Sequence, residues 1–278
     1  MKRLIVFLAI PVLLPSCSSM YIPAVRSIPL LAKKGEFLGE AGVSTNSIYA
    51  NGSYAFTNDI AASVTGNLSY RNFSNRYDLF TDIYEAPPSA GFGSFFEPVD
   101  TRGKFAHRYG EISVGKINML PPAKKPKLEI FGGAGMGRAT DIDYFDSGNR
   151  YKCAYYSFFG QGNFGLKKRV IEIGGSLRLI CSTFNYAVDS YDYSEVLYQN
   201  KFYAFHLEPM GFTRIGSGNL KIVFRYGINL AIPINLVEED VQYRGFDAPV
   251  GIYGWDNTFF HLSVGLSYRI GGNSNVSK

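Results

Sequence analysis

The residues with chemistry to offer are three histidines, a set of mid-chain carboxylates and arginines, and one run of glycines. His261 and Ser263 stand two apart, so an extended chain puts both on one face, the start of a serine–histidine–carboxylate set. A lipid hydrolase in a barrel wall would need that pair at the lipid-facing rim, yet the alternation described below turns both inward. No Gly-x-Ser-x-Gly elbow occurs either, and no catalytic residue is assigned. His107 shares a face with Glu111, and His206 with Glu208. A metal centre needs several donors within about 2–2.2 Å of one ion. The histidines fall on three strands that are not neighbours, so no metal and no cofactor is expected. Gly132-Gly133-Ala134-Gly135-Met136-Gly137 has phosphate-loop composition, but it lies inside a strand with no helix after it. Its glycines are expected to permit sharp sheet coiling or close packing against bulky lumen groups.

The remaining ionisable groups stand at mid-strand on polar faces: Glu111, Glu129, Glu172, Arg178, Glu208, Arg225 and Arg269. They are expected to form a charge network in a lumen, with Arg178, Arg225 and Arg269 answering the four glutamates. The stretch 185–202 mixes Tyr with Asp and Ser, the composition of adaptable recognition surfaces, and reads as a loop. Glu238, Glu239 and Asp240 read as solvent-facing acids.

Such placements presuppose strands, and from residue 36 onward the dominant period is two. Leu220, Ile222, Phe224, Tyr226, Ile228, Leu230 and Ile232 alternate with a face carrying Lys221, Arg225 and Asn229. Segments 259–270 and 60–71 repeat the pattern, and weaker versions occupy 36–45, 47–56, 105–118, 127–139, 154–166, 170–183 and 203–215. Most of these roughly ten segments reach the 9–11 residues that a tilted transmembrane strand needs. Short connections (57–59, 120–126, 167–169, 216–219) alternate with long ones (72–104, 140–153, 184–202, 233–257), apart from a short one at 45–46. Short turns at one rim and long loops at the other mark an outer-membrane barrel. In hydrocarbon a sheet must close, because an open edge leaves backbone groups unpaired. The expected fold is all-β: a closed antiparallel transmembrane β-barrel of about ten strands over 36–270. A soluble, lipocalin-like lipoprotein with its apolar faces inward is the alternative.

Composition agrees. The chain has 278 residues with 30 Gly, 22 Phe and 20 Tyr, and is 46% hydrophobic and 18% charged. Aromatics at 15% exclude a disordered chain. The formal charge of +5 falls to +3 without Lys2 and Arg3, too mild to suggest a nucleic-acid partner. Three cysteines make no disulfide scaffold. Pairing Phe164 with Ile171 across the Lys167-Lys168-Arg169 turn sets Cys153 opposite about residue 182, one step from Cys181. Alternation points Cys153 to the lumen and Cys181 to lipid. Opposite faces cannot reach the Cβ separation of about 3.5–4.5 Å that a disulfide requires, so two free thiols are expected.

Lys2-Arg3 followed by the apolar run Leu4–Leu14 reads as an export signal, too short to span a bilayer. Leu14-Pro15-Ser16-Cys17 resembles a bacterial lipobox. That resemblance implies cleavage after residue 16 and lipidation of Cys17, with 17–35 as a periplasmic tether to the inner leaflet. Ser263 to Ile270 is similar to the C-terminal signal that engages the barrel assembly machinery, with 271–278 as a tail beyond it. The mature region resembles the small outer-membrane β-barrel proteins, some of them porin-like lipoproteins, common in Bacteroidota. Tyr54-Ala55-Phe56-Thr57-Asn58-Asp59-Ile60-Ala61 looks like their first tight turn. The resemblance implies the outer membrane of a Gram-negative bacterium, contact with its lipids, and a non-enzymatic structural or recognition role through the long loops. A narrow pore for small solutes is the competing expectation.

Overall fold

The computed structural model describes residues 19–45, 47–73, 103–120, 126–143, 149–190, 196–234, 256–257 and 260–271. The strands are β1 (Phe37–Ser44), β2 (Ile48–Ala55), β3 (Ile60–Phe73), β4 (Gly103–Lys116), β5 (Pro126–Asp143), β6 (Asn149–Lys167), β7 (Ile171–Ser190), β8 (Val196–Ile215), β9 (Leu220–Ile228, resumed at Leu230–Ile234) and β10 (Phe260–Ile270). Both pieces of β9 hold one register on β8, Ile222 opposite Ile215 and Leu230 opposite Leu207, so they form a single strand. Each strand pairs antiparallel with the next, and β10 returns to β1 from Ser263↔Ser44 to Ile270↔Phe37. The ten strands therefore close a barrel with no free edge.

The alternation sorts side chains as hydrocarbon requires. Ile112, Phe158, Leu179, Phe224 and Leu266 stand exposed on the outer wall, and Tyr54, Phe56, Tyr226 and Tyr268 also face outward. Glu111, Gln161, Arg178 and Arg225 are buried inside. A soluble sheet would reverse this, which removes the lipocalin-like alternative. At the short-turn rim, the Thr57 hydroxyl accepts from the backbone N–H groups of Asp59 (3.1 Å) and Ile60 (2.9 Å). Gly218 supplies the left-handed residue (φ 71°) of the 216–219 turn.

The wall is uneven. β1 and β2 have 8 residues each, while β6, β7 and β8 have 19, 20 and 20. The last three exceed what a bilayer needs, so their upper ends form a tall hairpin wall. This corrects the loop expected over 185–202, where only 191–195 lie between strands. Polar Tyr–Asp–Ser sequence is compatible with a strand once both faces are wet, so polarity misled the boundary. The acids Glu238, Glu239 and Asp240 lie outside the described residues, as do Cys17, the leader and residues 272–278.

The lumen holds the largest departure from expectation. Residues 17–35 were expected as a periplasmic tether. Instead Tyr21, Ile22, Ala24, Val25, Arg26, Ile28, Leu30 and Leu31 are all at most 3% exposed, inside the barrel. Ser19–Tyr21 pairs in parallel with Asp256–Asn257, just before the long-loop end of β10. At the other end, Gly35 N–H donates to Ala55 O (2.8 Å) and Lys34 N–H to Asn58 Oδ1 (3.0 Å), both at the short-turn rim. The segment thus runs the full length of the lumen, and Gly35 (φ 79°) makes the reversal that feeds it into β1.

Candidate functional site

The wall grips this luminal segment from several sides. Arg26, its one buried cation, donates from Nη1 to Glu208 Oε2 (2.8 Å) and from Nε to Ser176 Oγ (2.9 Å). Tyr21 donates its hydroxyl to Glu208 Oε1 (2.9 Å). Gln161 Nε2 donates to Ser27 O (3.0 Å), Arg214 Nη2 to Ile28 O (2.5 Å), Arg269 Nη2 to Pro29 O (3.0 Å) and Asn118 Nδ2 to Ala32 O (2.9 Å). Leu30 takes a left-handed conformation (φ 47°), uncommon for a branched residue. Its N–H and that of Leu31 converge on Glu129 at 3.2 and 2.7 Å, a two-amide anion cradle.

Each expected network residue lies in the lumen, though not always with the expected partner. Arg178 Nη2 meets Glu111 Oε1 at 2.6 Å, and its guanidinium stacks 3.6 Å from the Phe159 ring centroid. Arg225 pairs with Glu40 and donates to the Tyr49 hydroxyl (2.9 Å). Arg269 bridges Glu36 (2.6 Å) and Glu172 (3.0 Å). Glu172 also meets Arg214 and Lys221, each at 3.1 Å. Glu208 answers Arg26, and Glu129 answers backbone amides and Asn163 Nδ2 (3.2 Å). For both glutamates this corrects the wall arginines that had been expected. Arg26, Glu36, Glu40, Arg214 and Lys221 were missed. Parity alone would have flagged Glu40, Arg214 and Lys221: Arg214 and Lys221 stand six and four residues from the inward Glu208 and Arg225, and Glu40 stands four from Glu36 within the segment 36–45. Arg26 lies outside any strand pattern and carried no such signal.

Glu36 stands at the short-turn rim, just before β1. Burial would raise its carboxyl, but Arg269 and Lys167 hold it below the usual carboxylate range.

Above the charges, toward the long loops, the lumen is filled by rings. Tyr21 lies 5.5 Å from Tyr155 and 4.2 Å from His206 between centroids, and Tyr109 stacks on Tyr155 at 5.8 Å. His107 Nε2 meets the Tyr155 hydroxyl at 2.8 Å, and His206 Nδ1 meets Asn229 Oδ1 at 3.3 Å. His261 stands apart from both, opposite Gly227, with Ser263 on the same inward face. Among the described residues, no three His, Cys, Asp or Glu side chains converge on a common point. The rings fit because of the glycine run. A Cβ on Gly135 would lie 2.2 Å from Tyr109 Oη, and one on Gly137 would lie 2.1 Å from Tyr155 Cζ.

Cys153 is buried and Cys181 exposed, and both are free thiols. The hairpin turns later along the chain than expected, with Lys167 opposite Glu172, so Cys153 stands opposite Tyr186 and Cys181 opposite Phe158. The faces are as expected and the register is not.

No family model matches the chain, and no curated protein does. Among solved structures, the chain is similar to the outer membrane protease OmpT from Escherichia coli. The identity is 10%, the match covers 86% of this chain and 94% of that one, and the TM-score is 0.49. An in-vitro-folded outer membrane protein, OmpT of Vibrio cholerae in its trimer form, matches at 12% identity over 85% and 98% of the chains, with a TM-score of 0.19. The expectation that the chain is no enzyme is corrected here, since one of these similar barrels is a protease. At these identities and scores the likeness assigns this chain no activity.

Proposed function

We propose that this is an outer-membrane barrel of a Gram-negative envelope, stoppered by its own N-terminal segment, that acts through its long-loop face in a structural or recognition role. The observation that supports this reading is the buried run Tyr21–Leu31, held by Glu208, Glu129, Gln161, Arg214 and Arg269. A ten-strand lumen is close to the size that side chains alone can fill, and here a chain segment is added to them. The pore reading fits this less well. Purified protein in planar bilayers should give no conductance steps at moderate voltage. Regular steps from the unmodified chain would overturn the stoppered reading.

We further propose that Cys17 is lipidated, on the strength of Leu14-Pro15-Ser16-Cys17. Ser19 leaves the lumen beside Asp256 on the long-loop side, so the acyl chains belong to the leaflet on that side rather than the inner one. Mass spectrometry of the mature N-terminus should find an acylated Cys17. An unmodified terminus elsewhere would remove the proposal.

A further inference from the structure

Two arginines sit on the wrong side of the wall for the luminal network. Arg108 on β4 and Arg138 on β5 are exposed on the outer face and stand directly opposite one another in register. Like charges paired across strands repel. Among the described residues, neither has an acidic partner.

What surrounds them is apolar and open. Leu68 flanks Arg108 on β3, and Ala154 flanks Arg138 on β6. One row toward the short-turn rim lie Gly66, Gly110, Met136 and Tyr156, in register across β3 to β6. The Cβ positions of Gly66 and Gly110 have nothing within 4 Å, so they form a trough in the wall. A depression of about 380 Å³ joins Arg108, Gly110, Met136, Arg138, Ala154 and Tyr156. Below it stand Val64, Ile112 and Phe158, all more than half exposed. Ile130 near the short turn and Arg138 are separated by about 26 Å of strand at roughly 3.3 Å per residue. With a strand tilt near 40° that is about 20 Å along the membrane normal, close to the height of a barrel's apolar band. The guanidinium pair therefore tops the apolar wall, at headgroup level on the long-loop side.

We propose that Arg108 and Arg138 bind the phosphate of a lipid headgroup in the leaflet on the long-loop side, with an acyl chain in the trough beneath. A phosphate between the two forks accepts charge-assisted, bidentate hydrogen bonds and converts their repulsion into attraction. The trough selects an amphiphile over free phosphate, because only a lipid fills it. The proposal rests on the membrane reading given above.

The test uses the full-length mature protein in nanodiscs of phosphatidylcholine doped with a few per cent of either diphosphoryl lipid A or phosphatidic acid, with inorganic phosphate added to undoped discs and to doped discs as two separate arms. Native mass spectrometry should show a doped lipid retained on the wild-type barrel, and R108Q/R138Q should retain about tenfold less or weaker still, the equivalent of losing roughly one strong contact. R108K/R138K, which keeps the charge and loses the forks, should fall between them. Inorganic phosphate should neither bind nor compete at millimolar concentration. Retention by R108Q/R138Q equal to wild type overturns the site, and so does competition by free phosphate at that level. Should the glutamine pair fail to fold, wild-type-like retention by the lysine pair overturns the fork geometry on its own. A wild-type chain that does not insert into discs at all would instead defeat the membrane reading, and heat-modifiable gel mobility separates that result from loss of lipid selectivity.

Discussion

Replacing Arg26 by methionine should lower the unfolding free energy by about 3–5 kcal/mol, the cost of leaving a buried charge without its partner. Arg26 and Glu208 are each 1% exposed, and their carboxylate–guanidinium contact is 2.8 Å. Methionine matches the aliphatic stem and leaves Glu208, among the described residues, with the Tyr21 hydroxyl as its one side-chain donor. Urea-induced loss of the heat-modifiable band in lipid vesicles reads the midpoint. Adding E208Q to R26M should restore part of the loss, because neighbouring substitutions in one network are not additive. The exposed turn residue Arg169 serves as control, and R169M should stay within about 0.5 kcal/mol. An equally small effect at Arg26 would mean that water reaches the pair and that the segment does not seal the lumen.

The second large effect concerns glycines that look alike in sequence and differ in the barrel. Gly137→Ala places a methyl 2.1 Å from Tyr155 Cζ. The Tyr155 ring cannot retreat, because Tyr109, Phe184, Tyr21 and the His107 imidazole hold it at 5.8, 5.2, 5.5 and 6.0 Å between centroids. Overpacking of this kind costs about 1–3 kcal/mol or more. Gly135→Ala should do the same against Tyr109, whose hydroxyl donates to Glu111 Oε2 at 2.8 Å. Gly160→Ala, on the outer wall with nothing within 4 Å, should be neutral or slightly stabilising, because alanine lowers the entropy of the unfolded chain. Equal midpoints for G137A and G160A would show that the rings are not packed as described.

The wall was legible because a closed barrel in lipid leaves each strand one wet and one dry face, and the sequence alternates accordingly. Phe224, Arg225 and Tyr226 illustrate it: their faces follow from parity alone, and the structure keeps them. The inward glycines were legible in part: a run of them inside a strand signals either sharp coiling or room for something large, and the rings of Tyr109 and Tyr155 decide for the second. Registers were less so. The Lys167–Ile171 turn closes with Lys168 N–H donating to Ile171 O at 2.9 Å, which a hairpin drawn from hydrophobic pairing does not anticipate. The luminal segment was illegible to periodicity, because Pro23 and Pro29 break any repeat and its bonds go to wall side chains instead of a ladder. Its signal was compositional. Ile22, Val25, Ile28, Leu30 and Leu31 are too apolar for a chain left in water, and Lys33-Lys34-Gly35 mark where it returns to the surface.

Residues 19–35 also constrain the order in which the molecule is built. A segment that reaches from one mouth of a cylinder to the other can enter a finished barrel only by drawing its free end past Tyr155, Arg178 and Arg214. The alternative is to lie against an open sheet and be enclosed as β10 zips onto β1 from Ile270↔Phe37 to Ser263↔Ser44. The segment is continuous with β1 through Gly35, so it is tethered beside one lip of that seam before the other lip arrives. Sealing the seam is then the committed step of assembly, with the enclosed chain acting as the mandrel around which the wall is wound. Escape other than by drawing the free end back through the lumen requires the same seam to open, and so how long the stopper stays in place is governed by the β1–β10 ladder as well as by the contacts inside the lumen.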